Sequence, residues 1–191
     1  MKSVTTYFKG IFFFGSILLY FSCGAQDAPI NFEPHPYEIE IFGDVKPVKV
    51  TPLDTTDGYW REKLDNQSYY VLREEGTERP FTGKYDGFKE EGIFCCKGCG
   101  LPLFASEHKY DSGTGWPSFY QPLAPGVMGY KVDRSLGMVR TEVICARCGG
   151  HQGHVFEDGP RPTGLRYCIN SAAMEFVDKN EAKPLLDDLR R

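Results

Sequence analysis

Five of the seven cysteines fall into two unequal sets, Cys23 and Cys95 belonging to neither. Four stand as Cys-x-x-Cys pairs, Cys96/Cys99 and Cys145/Cys148. One tight turn at that spacing presents two thiolates, and two such turns complete a tetrahedral zinc site. Cys168 stands alone in Arg166-Tyr167-Cys168-Ile169-Asn170. An isolated thiol with polar residues two positions away on either side suits nucleophilic chemistry, with Arg166 favouring the thiolate and Asn170 orienting a substrate or water. Taken alone, Cys168 is better read as a passive thiol beside a surface arginine.

Four sulfurs leave a metal no open position, so a zinc held by Cys96, Cys99, Cys145 and Cys148 would be structural. Disulfides are the alternative reading, but two x2 pairs are the metal spacing and Cys168 would be left over. Because 45 residues separate Cys99 from Cys145, a whole sheet must lie between the knuckles. Cys95 adjoins the first knuckle and is expected to point away from it, buried and inert.

Two further segments carry candidate chemistry. His151 and His154 stand three apart in the Gly-rich run Gly150–Phe156, as proton donors, supports of the metal or structural groups. The loop Asp111–Phe119 presents Trp116 beside Gly115 and Pro117, as a pocket wall or as core.

The elements that must position these residues are short. Asp57 and Asp65 are expected N-caps of two small helices, carrying Trp60 and Leu64, then Tyr69 and Leu72, toward a core. After Gly76, strand-like runs occur at 93–94, 101–104, 138–144, 155–156 and 165–169. If 165–169 is a strand, Tyr167 and Ile169 face the core while Arg166, Cys168 and Asn170 share the other face. The expected domain, 55–180, is mainly β and antiparallel behind short helices, with a polar tail over 181–191.

Residues 1–22 read as an export signal, with Lys2 and Lys9 before an apolar run too short for a mature span of roughly 20 residues. Ser22-Cys23-Gly24 then reads as a lipoprotein cleavage site with Cys23 acylated, or cleavage follows Ala25. Residues 23–54 are Pro-rich and expected as a tether, with a short strand at 37–42. These readings place the protein in a bacterial periplasm or cell envelope, anchored through lipid. The net charge of −4 and the lack of a basic stripe argue against nucleic acid as a partner.

From about Tyr59 to Phe176 the chain resembles the methionine sulfoxide reductases of the B class, specific for the R epimer. The resemblance rests on Arg79-Pro80-Phe81-Thr82-Gly83, both knuckles, Ser112–Phe119, Gly150–Phe156 and Arg166–Asn170 with Ser171-Ala172. It implies two antiparallel sheets, a zinc remote from the active site and Cys168 as nucleophile; of free methionine sulfoxide and oxidised proteins, an exported, tethered enzyme with an open loop site favours oxidised proteins as substrate. It further implies His151 and His154 as proton suppliers, Trp116 as the methyl-binding wall, and Arg166 and Asn170 as supports. Many members carry a resolving cysteine where this chain has Thr114, so either Cys95 resolves the spent enzyme or, as its place beside the knuckle favours, an external thioredoxin-like thiol reduces it. The rival classes are a non-enzymatic zinc-ribbon binding module and a Cys-x-x-Cys disulfide oxidoreductase.

Overall fold

The computed structural model describes residues 35–43 and 45–189. The expected signal and Cys23 lie outside them. Among the described residues, nine strands form two antiparallel sheets, as expected. The smaller has the order β2-β1-β9, from β1 (Gly92–Cys96), β2 (Pro102–Ala105) and β9 (Met174–Asp178). The larger has the order β3-β4-β8-β7-β6-β5, from β3 (Lys109–Tyr110), β4 (Ser118–Phe119), β5 (Met128–Asp133), β6 (Arg140–Cys145), β7 (His151–Phe156) and β8 (Arg166–Ile169).

Aromatic side chains join the two sheets. Phe104 of β2 stacks on Phe119 of β4 at 4.3 Å between ring centroids, and Phe94 of β1 meets Phe119 edge-on at 5.2 Å. All three rings are fully buried. Each contributes on the order of 2–3 kcal/mol through burial, with about 1 kcal/mol more per ring pair.

Two short helices, α2 (Asp57–Lys63) and α3 (Asn66–Arg73), precede the sheets. Asp65 caps α3 as expected, accepting from the Ser68 N–H. Thr56 rather than Asp57 caps α2, which leaves Asp57 free to bond Arg61 and Tyr69. Trp60 and Leu64, at i and i+4, and Tyr69 and Leu72, at i and i+3, are buried in the core, as those spacings require.

Residues 37–42 are helix, not strand: α1 spans Pro36–Phe42. Tyr37 and Ile41 pack on the core from positions i and i+4, a spacing that alternation in so short a run conceals. The stretch read as a tether lies against the domain in its described part. Val48 donates to the Pro125 carbonyl, Leu53 to that of Arg147, and the Glu38 carboxylate accepts from Tyr130 Oη and the Gly126 N–H. The polar tail is likewise ordered as α4 (Lys179–Leu189). Ala182, Leu185 and Leu186, at i, i+3 and i+4, cover Ile93 and Cys95 of β1.

Candidate active site and metal centre

β8 lies between β4 and β7, so Cys168 has a neighbour on each side: Ser118 in register on β4 and His154 on β7. Directly opposed residues of an antiparallel pair hold their Cβ atoms about 5 Å apart on one face. Tyr167 and Ile169 are fully buried on the other face, as the alternation predicts. One pocket is lined by Cys168, His154, Trp116 and Asn170 together with Thr77, Arg140, Gly153 and Phe156.

The expected pair of histidines divides. His154 reaches the Cys168 pocket, whereas His151 lines an adjoining cavity with Glu142, Asp133, Tyr70 and Leu136. Both sit on a strand rather than in a turn. Residues three apart on a regular strand face opposite sides. Here the β6–β7 ladder slips, with Val143 opposite Gly153 and Ile144 opposite His151, so Gln152 is a bulge residue. The bulge turns both imidazoles to one side, 5.4 Å apart between centroids. Each has a carboxylate: Glu142 Oε1 lies 2.7 Å from His151 Nδ1, and Asp133 Oδ2 lies 2.8 Å from His154 Nε2. Burial nevertheless lowers the His154 pKa, against the Asp133 hydrogen bond that raises it, so its imidazole is neutral near pH 7.

Burial likewise sets the sulfur. The Cys168 thiol is pushed up by desolvation, and the charge of Arg166 with hydrogen bonds from Thr114 and Arg166 pulls it back only in part. Arg166 thus acts in the expected direction but does not produce a preformed thiolate. Its guanidinium is committed to a bidentate pair with Asp158, both bonds 2.8 Å, and lies 4.4 Å above the Phe156 ring. Asn170 is fully engaged as a brace: Oδ1 accepts from the Glu78 N–H and Nδ2 donates to the Gln152 carbonyl. Trp116 Nε1 donates to the Glu78 carbonyl at 3.1 Å, which fixes the indole plane.

Glu78 is the residue the motifs did not single out. Its backbone holds Asn170 and Trp116, and its carboxylate accepts from the N–H groups of Ser171 and Ala172. Its place beside the Arg79–Gly83 segment was the available sequence signal. Asp133, Asp158 and Gly153 were also missed, since each acts through a partner distant in sequence or on another strand.

The four knuckle cysteines converge, with their ligand atoms all within 4.8 Å of one another, a cluster sized for one metal ion. All four are free of disulfides. The turns are built alike: Gly100 and Gly149 take positive φ of 75° and 67°, and each donates its N–H to the carbonyl of its first cysteine. One knuckle follows β1 and the other follows β6, so a metal held there would tie the small sheet to the large one. Cys95 points instead under α4, buried among Ile93 and Ala182, with its thiol pushed up to about 12 by desolvation.

Residues 64–178 match the model of the SelR domain family, more than half of the chain. The chain belongs to the SelR family of peptide-methionine (R)-S-oxide reductases. Similar proteins include a "Peptide methionine sulfoxide reductase MsrB" of Saccharophagus degradans, 59% identical over 120 residues, which are 63% of this chain and 90% of that protein. One of the same name from Teredinibacter turnerae is 54% identical over 66% of this chain and 94% of its own. Another, from Leptospira interrogans, is 52% identical over 65% and 95%. The SelR match spans residues 64–178; α1, α2 and α4 lie outside it and pack against it.

Proposed function

We propose that this SelR protein reduces the R-sulfoxide of methionine through Cys168, acting on oxidised proteins outside the cytoplasm. The register pairing of His154 with Cys168, in one pocket with Trp116, carries the reading. Because burial favours the neutral form of both groups, the starting state is a thiol beside an uncharged imidazole. As Cys168 Sγ attacks the sulfoxide sulfur, His154 takes the thiol proton and delivers it to the sulfoxide oxygen. The protonated oxygen then passes from the methionine sulfur to Cys168 Sγ as the bond between the two sulfurs breaks, so methionine leaves, Cys168 becomes a sulfenic acid, and two electrons have passed from the thiol to the sulfoxide. Trp116, its indole plane held by Glu78, packs against the methyl group and so distinguishes the epimers by shape.

Thr114, not a thiol, touches the Cys168 sulfur, and Cys95 lies in the other sheet beneath α4. An external thiol of the thioredoxin-like kind therefore reduces the sulfenic acid, releasing water and leaving a disulfide on the donor. The metal of the four-cysteine centre is zinc. Zn–S bonds of about 2.3 Å require sulfur–sulfur edges of about 3.8 Å, and the Cys96–Cys148 and Cys99–Cys145 pairs stand at 3.6 and 3.5 Å. When bound, zinc supplies a structural crosslink. Residues 1–22 as an export signal and Cys23 as a lipid anchor place the enzyme in the cell envelope.

The test is a stereospecific assay of the mature protein on separate R and S sulfoxides with a dithiol, and metal analysis of the same sample. Wild type reduces R alone with one zinc per chain. Cys168→Ser keeps the zinc and the fold and loses all turnover; full activity in that variant refutes the assignment.

A further inference from the structure

Apart from His154 and its partner Asp133, the cavity beside the reactive pocket has no part in the chemistry above. It shares Thr77, Arg140 and His154 with that pocket, so the two are continuous. Its walls carry two large exposed side chains, Tyr70 on α3 at 48% and Leu136 at the tip of the β5–β6 hairpin at 83%. Leu136 is held there by left-handed backbone, φ 53° and ψ 24°, followed by Gly137 at φ 71°. A leucine in that region is strained by roughly 1 kcal/mol or more, and such strain concentrates where a loop serves a ligand. The His151 ring, 3% exposed, also lines the cavity. Glu142 holds its Nδ1, and Nε2 has no partner among the described residues. A buried ring nitrogen without a partner is an incomplete site.

We infer that this cavity is a subsite for the residue flanking the oxidised methionine, and that it takes an apolar side chain of an extended polypeptide. The inference rests on the reading of the Cys168 pocket as the sulfoxide site. A methionine sulfoxide seated at Cys168 leaves its main chain at the pocket rim, and the next Cα lies about 3.8 Å further along. That step leads across Thr77 and Arg140 toward Tyr70 and Leu136. Free methionine sulfoxide has no group to place there. A leucine or phenylalanine side chain closes against Tyr70 and Leu136, while a main-chain amide of the same segment offers His151 Nε2 a partner. Continuity with the reactive pocket favours a polypeptide over a lipid surface or a second copy of the chain.

The experiment compares kcat/KM on three R-sulfoxide substrates: a blocked methionine sulfoxide amide, a pentapeptide with leucine on both sides, and the same peptide with glycine. Wild type prefers the leucine peptide over the glycine peptide by about tenfold, as expected for burying one leucine-sized side chain. Leu136→Asn suits left-handed backbone and removes the apolar wall. It abolishes that preference and leaves the blocked amide unchanged; Leu136→Gly, suited to the same backbone, does the same. Equal rates on both peptides in wild type, or equal losses on all three substrates in the variants, overturn the subsite. Loss of phospholipid-vesicle binding in Leu136→Asn with the peptide preference intact overturns it in favour of a membrane surface. Failure of wild type on the blocked amide and both peptides instead overturns the sulfoxide reading on which the subsite depends.

Discussion

Gly153→Ala tests whether the spacing of β7 and β8 sets the reaction geometry. A Cβ built at Gly153 meets the Cys168 carbonyl oxygen at 2.0 Å, its carbonyl carbon at 3.0 Å and Ile169 Cα at 3.1 Å. Ordinary contact begins near 3.4 Å, and every atom met is backbone, so no rotamer relieves the clash. The strands must part by more than about 1 Å, just where Gly153 opposes Ile169 and His154 opposes Cys168. A misplacement of about 1 Å costs on the order of a hundredfold in rate. The strain costs about 1–3 kcal/mol of stability. Single-turnover release of methionine from an R-sulfoxide, without added reductant, reads the chemical step alone. We expect a burst slowed about a hundredfold, a lowered melting temperature and unchanged zinc. Gly87→Ala, which meets nothing within 4 Å, is the matched control and behaves as wild type. A Gly153→Ala burst at the wild-type rate, with an unchanged melting temperature, refutes the argument that close approach of the backbones builds the site.

Three further outcomes follow from the same geometry. Arg166→Met removes the charge and hydrogen bond that oppose desolvation of Cys168, so the thiol rises further. Its alkylation profile moves to higher pH and the rate at neutral pH falls about tenfold to a hundredfold; an unmoved profile contradicts the role. Cys148→Ser, or a strong chelator on the wild type, removes the crosslink between the sheets. Zinc content then falls and thermal unfolding comes at lower temperature, whereas chelated protein melting as before would mean the sheets do not depend on it. Glu38, buried against Tyr130 and Gly126, has its carboxyl raised from 4.5 to about 7 by burial. A raised acid contributes stability that is intact below about pH 4.5, declines as the unfolded chain ionises first, and is lost above about 7. Glu38→Gln flattens that decline and stabilises the protein at pH 8 by at most ~3 kcal/mol, read by denaturant unfolding; a variant with the wild-type pH dependence refutes it.

Much of this protein was legible in its residues. Cys-x-x-Cys-Gly twice over specifies two like turns, because only a left-handed glycine lets the N–H close on the first cysteine carbonyl. Alternation in Arg166–Asn170 placed Cys168 on the face opposite Tyr167 and Ile169. Tertiary structure decided the rest. His151 and His154 differ by three positions, a spacing that puts them on opposite faces of a regular strand; only the bulge at Gln152, set by pairing with β6, brings them together. The state of Cys168 is not legible in the sequence for a related reason. Arg166 is visible as a neighbour in sequence, but the desolvation that outweighs it comes from packing between strands. The helices at 36–42 and 179–189 were hidden because apolar spacing in short runs fits more than one period until a surface exists to cover. Residue types and local spacing fix what a side chain can do and which way a turn can bend. Which groups lose water together, and in which register they meet, is settled only when distant strands pair.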